Sequence, residues 1–363
     1  MGSENPPQIP VNQALGPALP AMFTRYKDLV EQELSHAVPQ PELPDLSELA
    51  VVFKYHLGWV DPTGNPAVTP TAQGKALRPT LCLFACEALA GDLRHAVSAA
   101  AALELIHNFS LIHDDIQDQD RERRHQPTVW SLWGMPKALV SGDAMQSLGD
   151  LALLSVAGRG VPAATAVQVS RILTESYLEM IEGQCLDLGF ESSTSTTTAE
   201  YLHMIACKTG ALIRSSLEIG AALATDDATT TRAFASFGGY LGRAFQIRDD
   251  YLGIWGDQGT TGKSTDSDIR RRKKSFPVVF ALERSSGGSR EDLLRIYSQE
   301  TLADADVARV LSILEEVGAP EHADRLTQES AEQARQSLAG VSLPGWARAE
   351  VEELVDFLAR RQY

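Results

Sequence analysis

From Leu77 onwards the chain is a succession of Ala- and Leu-rich stretches in which apolar residues recur three and four positions apart. That spacing is the period of a helix with one buried face. Leu77 to Ala90, Ala96 to Ile116, Ala138 to Val156, Ala163 to Ile181, Ala199 to Ala224 and Thr229 to Ile254 carry it. Val278 to Arg284, Asp304 to Val317, Ala319 to Leu338 and Leu343 to Arg361 continue the series. An earlier helix is expected from Ala21 to about His36, ended by Pro39, Pro41 and Pro44. No alternating run flanked by hairpin turns interrupts the pattern, and no internal repeat of about 20–50 residues is present. The pattern predicts an all-α fold, one bundle of about a dozen helices. With 363 residues, 44% of them hydrophobic, the chain is large enough to bury such a core. Residues 1 to 20, rich in Pro, Asn and Gln and without periodicity, are expected to be a flexible tail, leaving 21 to 363 as the folded domain.

Several classes of partner are excluded at this level. The net charge of −16 argues against nucleic acid. The longest apolar stretches, such as Leu151 to Ala157, fall far short of the roughly 18 residues that span a bilayer. The first residues lack the basic and apolar segments of a secretory signal, so a soluble, cytoplasmic protein is expected. Cys82, Cys86, Cys185 and Cys207 form no CxxC pair and read as reduced thiols rather than zinc ligands. Against the acidic background the basic run Arg270 to Lys274 stands out, as a solvated surface or an anion-binding segment.

Chemistry concentrates in two acidic clusters at helix ends. Asp114, Asp115 and Asp118 follow the apolar stretch Leu103 to His113, and Asp114 and Asp118 share a helix face one turn apart. Two carboxylates so close repel unless a cation lies between them, and all-oxygen ligation favours magnesium, which shares its shell with phosphates. Taken alone, the cluster is equally a helix end dipping into solvent, although acidic groups there oppose the helix dipole. Asp249 and Asp250 close a second apolar helix about 135 residues further on, which makes two facing walls of one metal site.

At this point the sequence resembles the trans-isoprenyl diphosphate synthases of the isoprenoid synthase fold, from about Gly74 to Leu282. Gly74-Lys75-Ala76-Leu77-Arg78-Pro79 is similar to the family's GGKRxRP segment, and His107 matches its homoallylic-site histidine. Asp114 to Asp118 is similar to the first aspartate-rich motif, with Arg123-Arg124 the arginine pair behind it. Gly142-Asp143, Gly183 to Asp187 (GQxxD), Lys208-Thr209, Phe245-Gln246, Asp249-Asp250 and Gly262-Lys263 complete the ordered set. The resemblance implies a central active-site cavity in which an allylic diphosphate ionises and is joined to isopentenyl diphosphate. It implies magnesium, about three ions with bound diphosphate, held by Asp114, Asp118 and Asp249, with Asp115 and Asp250 as neighbouring ligands. Arg123, Lys208 and Lys263 would neutralise the allylic diphosphate; Lys75, Arg78, His107 and Arg124 would hold isopentenyl diphosphate. Thr209, Gln246 and Tyr251 would present dipoles to the carbocation. The basic run becomes a flap meeting diphosphates, through Lys273 or Lys274. A homodimer is implied as well.

Gly253 stands where the second motif has its last aspartate, Gln73 and Ala76 replace a glycine and an arginine of the first segment, and His125 stands where Gly usually follows the arginine pair. Asp249, Gly253 and Asp257 also loosely match the second metal motif of class I terpene cyclases on the same fold; the isopentenyl diphosphate residues favour elongation. Product length is expected to depend on Phe109 and Ser110, one turn before Asp114. One aromatic and one small residue resemble producers of geranylgeranyl diphosphate, with farnesyl diphosphate the alternative.

Overall fold

The computed structural model describes residues 20–39, 47–67, 74, 76–256 and 266–360. The expected tail before Pro20, together with Gln73, Lys75, Asp257, Gly262 and Lys263, lies outside the described residues. The described chain is all-α apart from one two-stranded hairpin. Its helices are α1 (Ala21–Arg25), α2 (Lys27–Ala37), α3 (Ser47–His56), α4 (Leu77–Ala88), α5 (Leu93–Gln117), α6 (Val129–Trp133), α7 (Met135–Leu154), α8 (Ala163–Ser192) and α9 (Thr198–Ile205). They continue as α10 (Ala211–Ala222), α11 (Ala228–Trp255), α12 (Ser267–Arg270), α13 (Phe276–Arg284), α14 (Gly287–Tyr297), α15 (Asp304–Glu316), α16 (Ala319–Ser337) and α17 (Gly345–Arg360). The number exceeds the expected dozen because α1, α6 and α12 are single turns too short to show a period, α3 and α14 lie outside the expected series, and the stretch Ala199 to Ala224 divides into α9 and α10.

Helix α5 is the axis of the bundle. Asp92 caps its N-terminus by accepting from the Arg94 N–H. Small residues on all sides, Ala96 and Ala99 to Ala102, are fully buried and let α4 and α7 approach closely. Helix α10 packs against α4, α8 and α11, and α11 in turn against α16, so the apolar faces of the long helices close one core. Asp227 accepts from the N–H groups of Thr229 and Thr230 at the start of α11, and Thr197 with Glu200 forms a capping box for α9. No described helix is long and apolar enough to cross a membrane. All four cysteines are free.

Three departures from the expected elements matter for the site. Helix α8 runs on past Ile181 to Ser192, although its last turns are polar. The stretch Ala199 to Ala224 is continuous but changes pitch: Ala206–Gly210 is a π-helical turn between α9 and α10. Between α5 and α6, Glu122–Arg123 (β1) and Gln126–Pro127 (β2) pair antiparallel. Both loop residues, Arg124 and His125, have positive φ (52° and 61°), the signature of a type I′ turn. Two-residue strands leave no alternation to read, so the hairpin was not foreseen.

Candidate active site

The C-terminal end of α5 carries Asp114 and Asp115, with Asp118 as its C-cap residue. Asp114 faces a cavity of about 650 Å³ whose walls come from α5, α7, α8, the π turn and α11. Burial, with repulsion from Asp118 and Asp187 against the pull of Lys208, pushes Asp114 up to about 6. Asp118 is raised by burial too, opposed by Lys208. Across the cavity, Asp249 lines the wall provided by α11.

The π turn supplies the cationic floor of this acidic gap. A π turn adds one residue to the helical circuit and rotates the side chains that follow. Here it faces Lys208 and Thr209 into the cavity. Lys208 Nζ donates to Asp187 Oδ2 at 2.5 Å. Burial opposes the Lys208 charge, but Asp187, Asp114 and Asp118 overcome it and raise its pKa. The turn fits because Gly183 of α8 has no side chain: a Cβ there would lie 2.3 Å from the Lys208 backbone nitrogen. Asp187 is the residue whose role the sequence reasoning missed. Its only signal was the GQxxD spacing, in a stretch not read as helix.

A chain of hydrogen bonds fixes the cavity's neutral dipoles. Thr209 Oγ1 donates to Gln246 Oε1 (2.8 Å), and Gln246 Nε2 donates to Asp250 Oδ1 (3.1 Å). Tyr201 OH and the Phe276 N–H donate to Asp250 Oδ2, at 2.6 and 3.1 Å. Asp250 is fully buried. Both Asp250 oxygens thus accept from protein donors, and the residue orients Gln246 and the start of α13. Asp115 is placed differently, its Oδ2 buried without a hydrogen-bond partner. It is buried beneath Arg123, whose Nε donates to its Oδ1 at 2.7 Å, and it lies outside the cavity lining. Burial still raises its pKa to about 6.

Arg78, His107, Arg123, Lys208 and Lys273 all line this cavity. Arg123 and Arg124 also line an adjoining niche with His56, Asp115 and Thr128. His107 is held well below its ordinary pKa by burial, then by Arg78, Arg124 and Arg123, so it is a neutral imidazole. Burial lowers Arg78 to about 10, against the attraction of buried Glu104.

The basic run is neither a bare surface nor a free flap. Arg270 pairs with Asp266 and Asp304, Arg271 pairs with Asp120, and Arg272 donates to the Gln299 carbonyl. Lys274 Nζ donates to the carbonyls of Phe190, Glu191 and Ser193, capping the C-terminal end of α8. Only Lys273 of this run lines the cavity. Phe109 and Ser110 both line it as well; the Phe109 ring stands edge-on to His113 and Tyr177, at centroid separations of 5.8 and 6.3 Å.

Among the described residues no three His, Cys, Asp or Glu side chains converge closely enough to hold an ion unaided. The donors do suit magnesium, which takes one or two carboxylates and completes its shell with water and phosphate oxygens. Asp114 and Asp118 are carboxylates under mutual repulsion that a divalent ion would relieve.

Acidic and basic side chains line one cavity inside an all-α bundle. The polyprenyl synthetase family model matches residues 65–314. A (2E,6E)-farnesyl diphosphate synthase of Mycobacterium tuberculosis is 37% identical over 337 residues, covering 91% of this chain and 92% of that protein. A geranylgeranyl diphosphate synthase of the same organism is 38% identical over 281 residues, covering 77% and 79%. Among solved structures, a polyprenyl synthetase from Streptomyces coelicolor A3(2) superposes with a TM-score of 0.85 at 35% identity, over 93% of this chain and 98% of that one. This chain belongs to the polyprenyl synthetase family and is a prenyltransferase.

Proposed function

We propose that this enzyme condenses isopentenyl diphosphate with an allylic diphosphate and releases geranylgeranyl diphosphate as its main product. The observation that carries the reading is one cavity lined both by carboxylates, Asp114 and Asp249 with Lys208, and by Arg78 and His107. Only one of the two diphosphates leaves, so only one needs the charge-dispersing side. Magnesium, when bound by Asp114, Asp118 and Asp249, supplies electrostatic stabilisation of the departing diphosphate. Arg123, Lys208 and Lys273 add fixed positive charge there, with Lys263 assigned to the same group by resemblance. Arg78, Arg124, Lys75 and neutral His107 retain the isopentenyl diphosphate; the arginine forks suit phosphate oxygens bidentately. Thr209 spends its proton on Gln246, so its oxygen lone pairs can face the allylic cation without a proton to lose. Burial of the cavity walls keeps water from capturing that cation.

The product assignment rests on Phe109. Its ring stands edge-on to His113 and Tyr177 while Ser110, its neighbour in sequence, adds no second ring, and we read Phe109 as the aromatic stop on α5. The cyclase reading is disfavoured by Arg78, His107 and Arg124, since a cyclase has no use for an isopentenyl diphosphate pocket. We further read residues 21–363 as one catalytic domain, acting in the cytoplasm as a homodimer. Purified protein with magnesium, isopentenyl diphosphate and dimethylallyl, geranyl or farnesyl diphosphate should yield a C20 diphosphate from each primer. A profile ending at C15 would reassign the product, and a hydrocarbon or alcohol formed without isopentenyl diphosphate would replace the synthase reading with a cyclase. With Phe109→Ala, products should extend beyond C20; an unchanged profile would remove Phe109 as the stop.

A further inference from the structure

The end of α3 is fastened to the hairpin that follows α5. Tyr55 OH donates to the Pro127 carbonyl at 2.7 Å, and the Tyr55 ring stands edge-on to Trp133 with centroids 5.2 Å apart. The hairpin is tied at its base, where Thr128 Oγ1 and Trp130 Nε1 donate to the Asp120 carbonyl at 2.8 and 2.7 Å. Between α3, the end of α5 and this hairpin lies a niche of about 30 Å³, whose walls include Tyr55, His56, Asp115, Arg123, Arg124 and Thr128. Two atoms of those side chains, His56 Nε2 and Asp115 Oδ2, are shut off from solvent and make no hydrogen bond within the protein. Both are acceptors. The His56 ring bonds to the Asn108 backbone in the sense that favours its proton, so it donates there to a carbonyl. That bond keeps the ring proton on Nδ1 and leaves Nε2 a bare lone pair. Asp115 Oδ1 accepts from Arg123 Nε at 2.7 Å, and Oδ2 is left over.

Two buried acceptors cannot satisfy each other, and leaving both unmet is costly. The charge of the niche selects what lies between them. A metal ion there would face Arg123 and Arg124; an anion would face a carboxylate and a lone pair. A small neutral molecule with two donors suits both acceptors, and a space of about 30 Å³ admits about one water. We propose that one ordered water occupies this niche, donating to His56 Nε2 and Asp115 Oδ2, and that through it His56 is a positioning residue for Arg123. The bond from Arg123 holds only Oδ1, so it leaves the carboxylate free to rock about its Cβ–Cγ axis. A second tether on Oδ2 stops that motion, and a bridging water serves nearly as well as a direct bond. The carboxylate then keeps Arg123 in the lining of the main cavity. Arg124 is set differently, with its Nη2 packed where a Cβ on Gly74 would come within 2.6 Å. The bridge therefore acts on the arginine assigned to the departing diphosphate and not on the one assigned to isopentenyl diphosphate.

The positioning role rests on the cavity being the diphosphate site proposed above; the water does not. A crystal structure of the full chain that resolves ordered water tests the bridge directly, with one water expected within hydrogen-bond distance of both atoms. An empty niche, or a direct bond between His56 and Asp115, would overturn it. Two variants then separate the bridge from the packing of the ring. H56N keeps a donor near the Nδ1 position for the Asn108 carbonyl and removes the arm that ends in Nε2. H56Q keeps an acceptor near the Nε2 position and gives up the donor to Asn108. Thermal unfolding verifies that each is folded. Affinity for inorganic pyrophosphate with magnesium, by calorimetry, should fall roughly fivefold in H56N and stay within about twofold in H56Q. H56N should raise KM for the allylic substrate by a similar factor while KM for isopentenyl diphosphate stays within about twofold. H56N/R123Q should be no worse than R123Q, because His56 acts through that guanidinium. Loss in H56Q with wild-type affinity in H56N, equal rises in both KM values, or additive losses in the double variant would each overturn the positioning role. Failure of wild type to bind pyrophosphate would sink the proposed diphosphate site instead, leaving the niche to be decided by its water.

Discussion

His56, in the last turn of α3, shows how a single buried side chain registers the charge around it. Its ring bonds to the Asn108 backbone, its Nε2 is buried without a partner, and Arg123 and Arg124 stand nearby. Burial first, and those arginines second, pull its pKa from 6.5 to about 3. Between those values the unfolded chain binds a proton that the folded chain refuses, so His56 lowers stability progressively as pH falls below about 6.5. His56→Gln has no such titration. The unfolding free energy of wild type should therefore drop relative to His56→Gln by about 1 kcal/mol per pH unit between roughly pH 6 and pH 4. Urea titrations at three pH values give the comparison, and a pH-independent difference would contradict the buried neutral ring. At this scale the sequence separated functional residues from neighbours only when spacing did so. Asp114 and Asp118 share a face by their spacing, and of the two Asp114 lines the cavity. Asp249 and Asp250 are adjacent, so a helix turns one to the cavity and the other to the core; which is which depends on Tyr201 and Phe276, remote in sequence.

At the scale of elements, α8 and the π turn form one device for placing Lys208 against Asp187. The contact depends on Gly183, and two glycines of the same helix make the point testable. A Cβ on Gly183 meets the backbone of Lys208 at 2.3 Å, whereas one on Gly189 meets nothing within 4 Å. Gly189→Ala should stabilise the protein by about 0.5–1 kcal/mol, the usual gain of alanine over glycine in a helix. Gly183→Ala should lose about 1–3 kcal/mol from overpacking despite the same propensity gain. It should also cut turnover, since relief of the clash moves Lys208. Denaturant midpoints for the pair decide it; equal shifts would mean that the π turn yields at no cost. The long apolar helices were legible because each repeats its period several times. The end of α8 was not, because its polar last turns are held by Lys274, a residue more than 80 positions away. The π turn was hidden for a different reason: the apolar period runs through it unbroken, and only close packing on Gly183 betrays it.

For the whole molecule, the unsettled quantity is what covers the apolar side chains left outside on α7 and α8. Leu151 and Leu154 of α7 are 62% and 58% exposed, and Val167 and Leu178 of α8 are 69% and 62% exposed. Met135, Leu139 and Val140 extend the α7 set toward its N-terminal end. Large apolar side chains gathered on consecutive helices mark an association surface. A second copy of this chain is the expected occupant, through a self-complementary contact about a two-fold axis. Each copy carries a net charge of −16, so the approach of two copies is opposed by long-range repulsion and driven by apolar burial. That sets the sign of the salt dependence: screening removes repulsion, so added salt should tighten the dimer, the reverse of an interface built on ion pairs. Light scattering coupled to size exclusion should give about twice the 39.4 kDa chain mass for wild type. Leu151→Glu combined with Leu178→Glu should shift it to the monomer while helical content is preserved, and dilution should dissociate wild type sooner at low salt than at high salt. A wild type that is monomeric at every salt concentration, or a double variant that remains a dimer, would move the interface elsewhere. Because α7 and α8 also wall the cavity, with Gln146, Met180 and Ile181 in its lining, the monomeric variant should lose product-length fidelity as well as mass.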